Sequence, residues 1–429
     1  MSAMGTCVMD EPRWREVYLT AAARGISVCG DLLAATSLAV VLQQHGAHGY
    51  AVAALLLSAS LPPVLLVRLS GWVADRFDSR RIIVVVAPAQ TLCCLAMLAT
   101  SVPAVLVALN ALLACGVALT QPVFAALTPA MVGVENVPRA AAISQTFTSA
   151  GLFAGPVVAG ILVSLGGLSL PLLLDAVSFL AIAVAGAVLR TRRAPRPTVP
   201  ATPDGPPVVA YRVRADRVLT AALGMVAVVV AAANLTDVAI VFFVRGTLHA
   251  SATMYGLVMG SWMLGLVCGS WVAARGRTGD HGCLVRLVTG LALVGVGILA
   301  AGTAGAAGWV LPAFVLGGIG NGMLGSAAGT LVARRTPENA RGRGFATLGA
   351  VINGAMVAGF VAAGGLLAVV TPRLVMIGSG AAALVLVVAS GLPALMMSRR
   401  PRHARRIQPH RLTPDGRAAE HALDDYPSR

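Results

Sequence analysis

The chain is divided in two by residues 191–216, which read TRRAPRPTVPATPDGPPVVAYRVRAD. This stretch holds six prolines and shows no apolar period. Such a composition predicts a solvated linker and not a folded domain. On both sides of it the sequence becomes a series of long apolar runs, so the linker fixes how these runs are grouped.

Six apolar runs precede the linker and six follow it. They cover approximately 16–43, 50–72, 81–101, 103–127, 139–165 and 168–190, then 217–245, 253–274, 283–304, 308–332, 344–370 and 372–397. A helix needs about 20 largely apolar residues to cross a bilayer. Each run is long enough, and the third and fourth are separated by a very tight loop around Ser101 and Pro103.

The predicted fold is therefore an all-α membrane protein with twelve transmembrane helices in two six-helix, pseudo-symmetric bundles, 16–190 and 217–397. Ser70–Arg76 at the end of the second run is echoed by Gly269–Arg275 at the end of the eighth, as a duplication would require. Residues 1–15 form an N-terminal segment, and 398–429 form a basic tail that we expect to be disordered.

Composition excludes several classes of function. Of 429 residues, 57% are hydrophobic and 11% are charged, whereas soluble proteins carry about 25% charged residues. The chain has no lysine, so it has no P-loop, and its histidines lack the spacing of a zinc hydrolase. We expect no enzyme activity, no cofactor and no metal site. The net charge of +15 comes without a separate basic domain, so nucleic acid is not an expected partner.

Loop arginines predict the orientation. On one side of the membrane they are Arg13, Arg15, Arg76, Arg80, Arg81, Arg139, the linker arginines, Arg275, Arg277, Arg334, Arg335, Arg341, Arg343 and the tail. The other side has only Arg245 and Arg373 near helix ends. By the positive-inside rule, we expect both termini and the linker to be cytoplasmic. All 32 basic residues are arginine, which suggests a bacterial genome with GC-rich codons, so the expected location is a bacterial inner membrane.

The loop after the second run carries the strongest motif, Gly71-Trp-Val-Ala-Asp75-Arg76-Phe-Asp78-Ser-Arg80-Arg81. It resembles the loop motif of the major facilitator superfamily, roughly G-x-x-x-D-R-x-G-R-R, and in particular the branch of macrolide efflux proteins and the enterobactin exporter. Physically, Gly71 permits close helix approach. Asp75 can accept hydrogen bonds from arginines or from a helix N-terminus across the interface between the halves, as a latch. An ordinary positive-inside loop is the alternative, and the second half has Ala274 in place of the acid.

A second motif lies in the fifth run. Gly151, Gly155, Pro156 and Gly160 resemble the glycine-rich helix motif of exporters, with alanine in place of one glycine. Glycines four residues apart form a groove on one helix face, and a proline bends the helix. Plain GxxxG packing explains the glycines equally well.

Charged residues within membrane spans are costly and usually functional. Asp31 lies in the first run and Asp237 in the seventh, and these two runs hold equivalent places in the halves. Desolvation favours the neutral form of a carboxyl group, which a proton carrier needs. We therefore expect Asp31 and Asp237 to couple transport to protons, with Arg24 paired to Asp31 and Asn234 beside Asp237. For Asp31, a structural role remains the alternative.

The sequence thus predicts a secondary transporter that exports a small organic molecule, such as a drug, antibiotic or secondary metabolite, by proton-coupled alternating access. Its expected partners are the small-molecule substrate, protons and membrane lipid, and a monomer is expected. A siderophore exporter, or an importer or facilitator on the same fold, is one alternative. A non-transporting membrane sensor or assembly partner is the other.

Overall fold

A computed structural model describes residues 13–44, 49–191, 216–275, 279–337 and 340–399. Most of the linker and the basic tail lie outside the described residues, as do the first twelve residues. The described chain is helical almost throughout. The half before the linker contains α1 Trp14–Gln44, α2 Gly49–Leu65, α3 Val67–Arg76, α4 Ser79–Leu98, α5 Pro103–Val132, α6 Val137–Gly166 and α7 Ser169–Val188. The half after it contains α8 Arg217–Val241, α9 Ala252–Ala274, α10 Asp280–Thr303, α11 Ala307–Arg335, α12 Arg341–Leu366 and α13 Pro372–Arg399.

Among the described residues, eleven helices are long and apolar enough to cross a membrane, and the bent pair α2–α3 makes a twelfth span. This confirms the predicted fold. The second span is not one straight helix, because α2 and α3 meet at an angle of 54°. Pro62 and Pro63 at the end of α2 lack the backbone N–H groups that would continue the helix, which explains the break.

Local chemistry sets several helix ends. Asp78 caps α4, since its carboxylate accepts hydrogen bonds from the backbone N–H groups of Arg80 (2.8 Å) and Arg81 (3.4 Å). Pro103 occupies the first turn of α5, where its missing N–H costs nothing, and this allows the tight loop after α4. Gly133, with φ of 74°, ends α5 in a backbone conformation that favours glycine.

The apolar cores show how the two halves meet. Near the linker, each half has its own core, built around Ile83 and Leu127 in the first half and around Leu219 and Leu287 in the second. At the opposite end a single core contains residues of both halves. Leu38 of the first half and Phe314 of the second half belong to the same cluster of buried side chains. We call these two ends the linker end and the far end. In this conformation the halves are joined at the far end and separate at the linker end.

Candidate functional site

The far end is closed mainly by a seam between α6 of the first half and α9 of the second. A Cβ atom added to Gly256 would lie 2.9 Å from the Cα of Gly160, and closer still to the carbonyl oxygen of Pro156. Thr253 donates hydrogen bonds from its hydroxyl to the Gly160 carbonyl (3.4 Å) and to the Ser164 hydroxyl (3.3 Å). Small residues on both helices therefore allow the two backbones to touch across the halves.

The glycine motif of α6 serves two different contacts. A Cβ at Gly151 would meet the backbone of Gly25, and one at Gly155 would lie 2.8 Å from the Cys29 carbonyl oxygen, both on α1. Gly160 instead faces α9 in the other half. The helix runs through Pro156 without interruption from Val137 to Gly166. The motif thus connects the core of the first half to the seam between the halves.

A second contact between the halves joins α2 to α12. The ring of Tyr50 packs against Gly364, and Leu367 packs against Gly49. Both contacts lie at the far end, where α2 begins and α12 finishes. Together with the α6–α9 seam, they close this end around the shared core.

The motif loop lies at the linker end, where the halves are apart. Asp75 and Arg76 are exposed, and the guanidinium of Arg76 stacks 5.4 Å from the Trp72 ring. Their helix, α3, packs mainly on α5 of its own half. A Cβ added to Gly71 would meet no atom within 4 Å. The expectation that Gly71 permits a close helix approach is therefore wrong for this conformation, because no helix lies against it while the linker end is open.

Two carboxylates lie close together inside the first half. Asp31 on α1 and Asp175 on α7 both line a cavity of about 160 Å³ and act on each other electrostatically. Asp175 is completely buried, and it accepts hydrogen bonds from the Cys94 thiol (3.4 Å) and the Ser178 hydroxyl (3.2 Å). Asp31 is only partly buried and has no hydrogen-bond or ion-pair partner among the described residues. Hydrogen bonds thus hold the Asp175 carboxylate in place, whereas the Asp31 carboxylate is available to bind a proton.

Arg24 and Asp31 face the same way but do not pair. Both line a small cavity of about 40 Å³ between α1, α4, α5 and α7. The guanidinium of Arg24 lies 5.3 Å over the ring of Phe124, and no carboxylate of the described chain is within 4.0 Å of it. The expected ion pair between Arg24 and Asp31 is therefore wrong for this conformation, since the aromatic face attracts the cation instead.

Asp237 lies on α8 of the second half and is not among the residues that line these two cavities. Its side chain is exposed and has no ion-pair partner among the described residues. Its charge acts on the buried Tyr255 of α9. Asn234, one turn earlier, donates to the carbonyl of Val230 (2.7 Å) and packs against Gly359 of α12. The two cavities that Asp31 lines do not include Asp237 among their lining residues.

Sequence reasoning missed a charge cluster at the linker end of the second half. Arg335, at the end of α11, contacts the carboxylate of Asp216 through two nitrogens, at 2.8 and 3.2 Å. It also lies 3.6 Å from Asp280, which pairs with Arg334 at 3.0 Å. Asp216 in addition caps α8. The cluster ties together the linker-end termini of three helices, although the arginines were assigned only to orientation.

The site residues present a small set of chemical possibilities. In the described part of the chain, no group of three or more histidine, cysteine or acidic side chains is placed to hold a metal ion. The available groups are two carboxylates without ion-pair partners in separate halves, together with glycine-lined contacts that close only one end. Such groups can bind protons and can separate or join as the halves move.

These features define a membrane transporter of the major facilitator type. Solved structures share the fold: a bacterial homologue of the human lysosomal transporter Spinster matches with a TM-score of 0.66 at 13% identity, covering 90% of this chain and 97% of that one. A bacterial homologue of the iron transporter ferroportin matches at 0.65 and 16% identity (90% and 99% covered), and the nucleoside transporter NupG at 0.63 and 12% (88% and 99%). The Spinster and ferroportin homologues were both solved in inward-facing states.

The particular family follows from the sequence profile. The profile of the transmembrane secretion effector family matches residues 14–411, which is nearly the whole chain, and the protein belongs to this family. No curated protein matches the sequence. The likeness to the solved transporters lies below 25% identity and concerns the fold alone.

Proposed function

We propose that this protein exports a small organic molecule, such as a drug, antibiotic or secondary metabolite, by proton-coupled alternating access. Within its family we place it in the branch of macrolide efflux proteins and the enterobactin exporter. The observation that carries the proposal is the pair of carboxylates, Asp31 and Asp237. Each lies in a membrane-spanning helix, and neither has an ion-pair partner among the described residues. An intramembrane carboxylate without a counter-ion is costly, so its presence favours a functional role such as proton transport.

The conformation supports alternating access. The halves share a core at the far end and have separate cores at the linker end. The contacts at the closed end are between glycine-lined backbones, which can separate without leaving a charged group unpaired. In the other state the linker end would close, and Gly71 would then meet a partner helix. We further propose a bacterial inner-membrane location, both termini in the cytoplasm, and a monomer.

The experiment uses purified protein in proteoliposomes that contain a pH-sensitive dye. A macrolide antibiotic is the first test substrate, followed by dyes and a siderophore. We expect an imposed proton gradient to drive accumulation against the substrate gradient in the export direction, with protons moving the opposite way. Counterflow exchanges labelled substrate for preloaded unlabelled substrate. It needs no imposed proton gradient and reports on binding and conformational exchange alone.

The variants Asp31→Asn and Asp237→Asn separate coupling from binding. If either carboxylate carries the proton, its variant loses gradient-driven accumulation but keeps counterflow. Glu135→Gln is the matched control, because Glu135 is an exposed carboxylate in the short turn between α5 and α6. Gradient-driven accumulation at wild-type levels in both aspartate variants would refute the coupling role.

Two alternatives give different outcomes in the same vesicles. Net movement of substrate in the import direction would favour an importer or facilitator. No flux of any compound, with the protein folded, would favour a sensor or assembly partner.

A further inference from the structure

We propose that the linker end of the first half binds the headgroup of an anionic phospholipid, in a pocket between the start of α1 and the end of α7. The pocket has a volume of about 690 Å³. We call it the arginine pocket, and its lining residues are Arg13, Trp14, Arg15, Glu16, Leu19, Val188 and Arg190. This site is separate from the transport pathway of the proposed function.

The charge of the pocket suits a phosphate group. Arg15 and Arg190 are exposed and have no hydrogen-bond or ion-pair partner among the described residues. Guanidinium groups bind phosphate oxygens in a two-pronged geometry, which makes arginine a preferred phosphate ligand. Two exposed cations without partners, on neighbouring helix ends, therefore form a receptor for an anion.

The one acidic residue that lines the pocket, Glu16, already has partners for its carboxylate. The carboxylate of Glu16 accepts a hydrogen bond from the backbone N–H of Thr191 at 3.1 Å and lies 4.0 Å from Arg13. Arg13 in turn donates to the Thr191 hydroxyl at 3.3 Å. Because Thr191 is buried, these contacts hold Glu16 against the first residue of the linker segment. The charge of Glu16 is thus partly neutralised, and the pocket keeps a positive excess.

The position and the apolar wall favour a lipid over a free anion. The pocket lies where two membrane spans end, which is the depth of the headgroups. Leu19 and Val188 are exposed next to the arginines and offer a surface for an acyl chain. The ring of Trp14, stacked 4.7 Å from the Arg139 guanidinium, adds an aromatic side chain of the kind enriched at this depth. Basic pockets between spans on the cytoplasmic side bind acidic headgroups.

Native mass spectrometry of the full chain tests the proposal. The purified protein is titrated with phosphatidylglycerol and, separately, with phosphatidylcholine that has the same acyl chains. We expect selective retention of phosphatidylglycerol. In the Arg15→Gln/Arg190→Gln variant its affinity should fall by roughly fivefold for each arginine, about 25-fold in total, without a change for phosphatidylcholine.

The matched control removes the same charge from the other half. Arg217 and Arg275 are exposed at the linker end of α8 and α9, so Arg217→Gln/Arg275→Gln should retain wild-type affinity for phosphatidylglycerol. Leu19→Asn should weaken lipid binding and leave the charge intact. It also serves as the second variant if the arginine double variant fails to fold, which circular dichroism would reveal.

Three results would overturn the proposal. Equal losses in the two double variants would mean general charge attraction without a site. Displacement of the lipid by inorganic phosphate as readily as by glycerophosphoglycerol, with no effect of Leu19→Asn, would mean a free-phosphate site. Lipid binding that arises only after removal of residues 1–12, which include Asp10 and Glu11, would mean that this segment of the chain is the occupant.

Discussion

Replacing Gly256 by alanine should disfavour the conformation in which the far end is closed. The added Cβ would lie 2.9 Å from the Gly160 Cα and 3.0 Å from the Gly160 nitrogen, and closer still to the Pro156 carbonyl oxygen. Ordinary van der Waals contacts of a Cβ atom begin at 3.4 Å. All three neighbours are backbone atoms, so no side chain can turn away. The helices α6 and α9 must therefore separate by several tenths of an ångström or more.

The size of the effect follows from the cost of overpacking. Extra methyl groups in tight contacts cost about 1–3 kcal/mol. Since 1.4 kcal/mol is a factor of ten, the closed-far-end conformation should lose about 5- to 150-fold in population relative to the opposite state. Alanine also gains helix propensity over glycine, by about 1 kcal/mol, but this gain is equal in both states and cancels.

Disulfide formation across the seam measures that population. The hydroxyl oxygens of Ser164 and Thr253 are 3.3 Å apart, so the Ser164→Cys/Thr253→Cys pair should oxidise quickly when the far end is closed. The seven natural cysteines are replaced first. Adding Gly256→Ala should slow oxidation, by up to the same factor of about 5 to 150. Gly354→Ala on α12 is the control, because a Cβ there would meet nothing within 4 Å.

An unchanged oxidation rate with Gly256→Ala would refute the reasoning. It would mean that the α6–α9 seam is not the contact that closes this end. A loss of thermal stability equal in both glycine variants would point instead to a general effect of alanine in these helices. Slower oxidation in the Gly354→Ala control would also contradict the reasoning, since no atom of the structure lies within 4 Å of that methyl group.

Further predictions address the linker end. Gly71→Ala should leave the disulfide rate at the seam no lower than in the parent pair, because the new methyl group meets nothing in this conformation, whereas a fall would show that Gly71 is packed in it. Asp75→Asn should slow counterflow without weakening substrate binding, and an unchanged rate would refute the latch. Arg335→Gln should lower the free energy of unfolding by roughly 3 kcal/mol, measured by denaturation in detergent, because the largely buried Asp216 carboxylate loses its arginine partner. Arg334→Gln, at a more exposed arginine, should cost less than about 1 kcal/mol, and equal losses would contradict this assignment.

Sequence patterns predicted the positions of helices and loops more successfully than they predicted which residues contact each other. The apolar runs agree with the helices to within a few residues at most ends, and Pro103 was correctly placed at a tight loop. The exception is the second span, which bends at Leu66. The two adjacent prolines, Pro62 and Pro63, were a visible signal for that break and could have predicted it.

The candidate site was predicted only as separate residues. Asp31 and Asp237 were selected as candidates because a charged residue within an apolar run is conspicuous in the sequence. Asp31 shares a cavity with Asp175 and forms no ion pair with Arg24. This arrangement depends on how α1 is rotated against α5 and α7. Spacing along one helix gives the face on which a residue lies, but not which neighbour occupies the space beside that face.

The all-helical fold and the number of spans were determined by the sequence itself. In a bilayer each span must satisfy its backbone hydrogen bonds internally, so length and apolarity decide each helix separately. Only the tertiary structure decided that Gly151 and Gly155 face α1 while Gly160 faces the other half, and that Gly71 faces open space. Those outcomes depend on close backbone approaches between distant segments, and on which of two packings of the halves is populated, which no local pattern encodes.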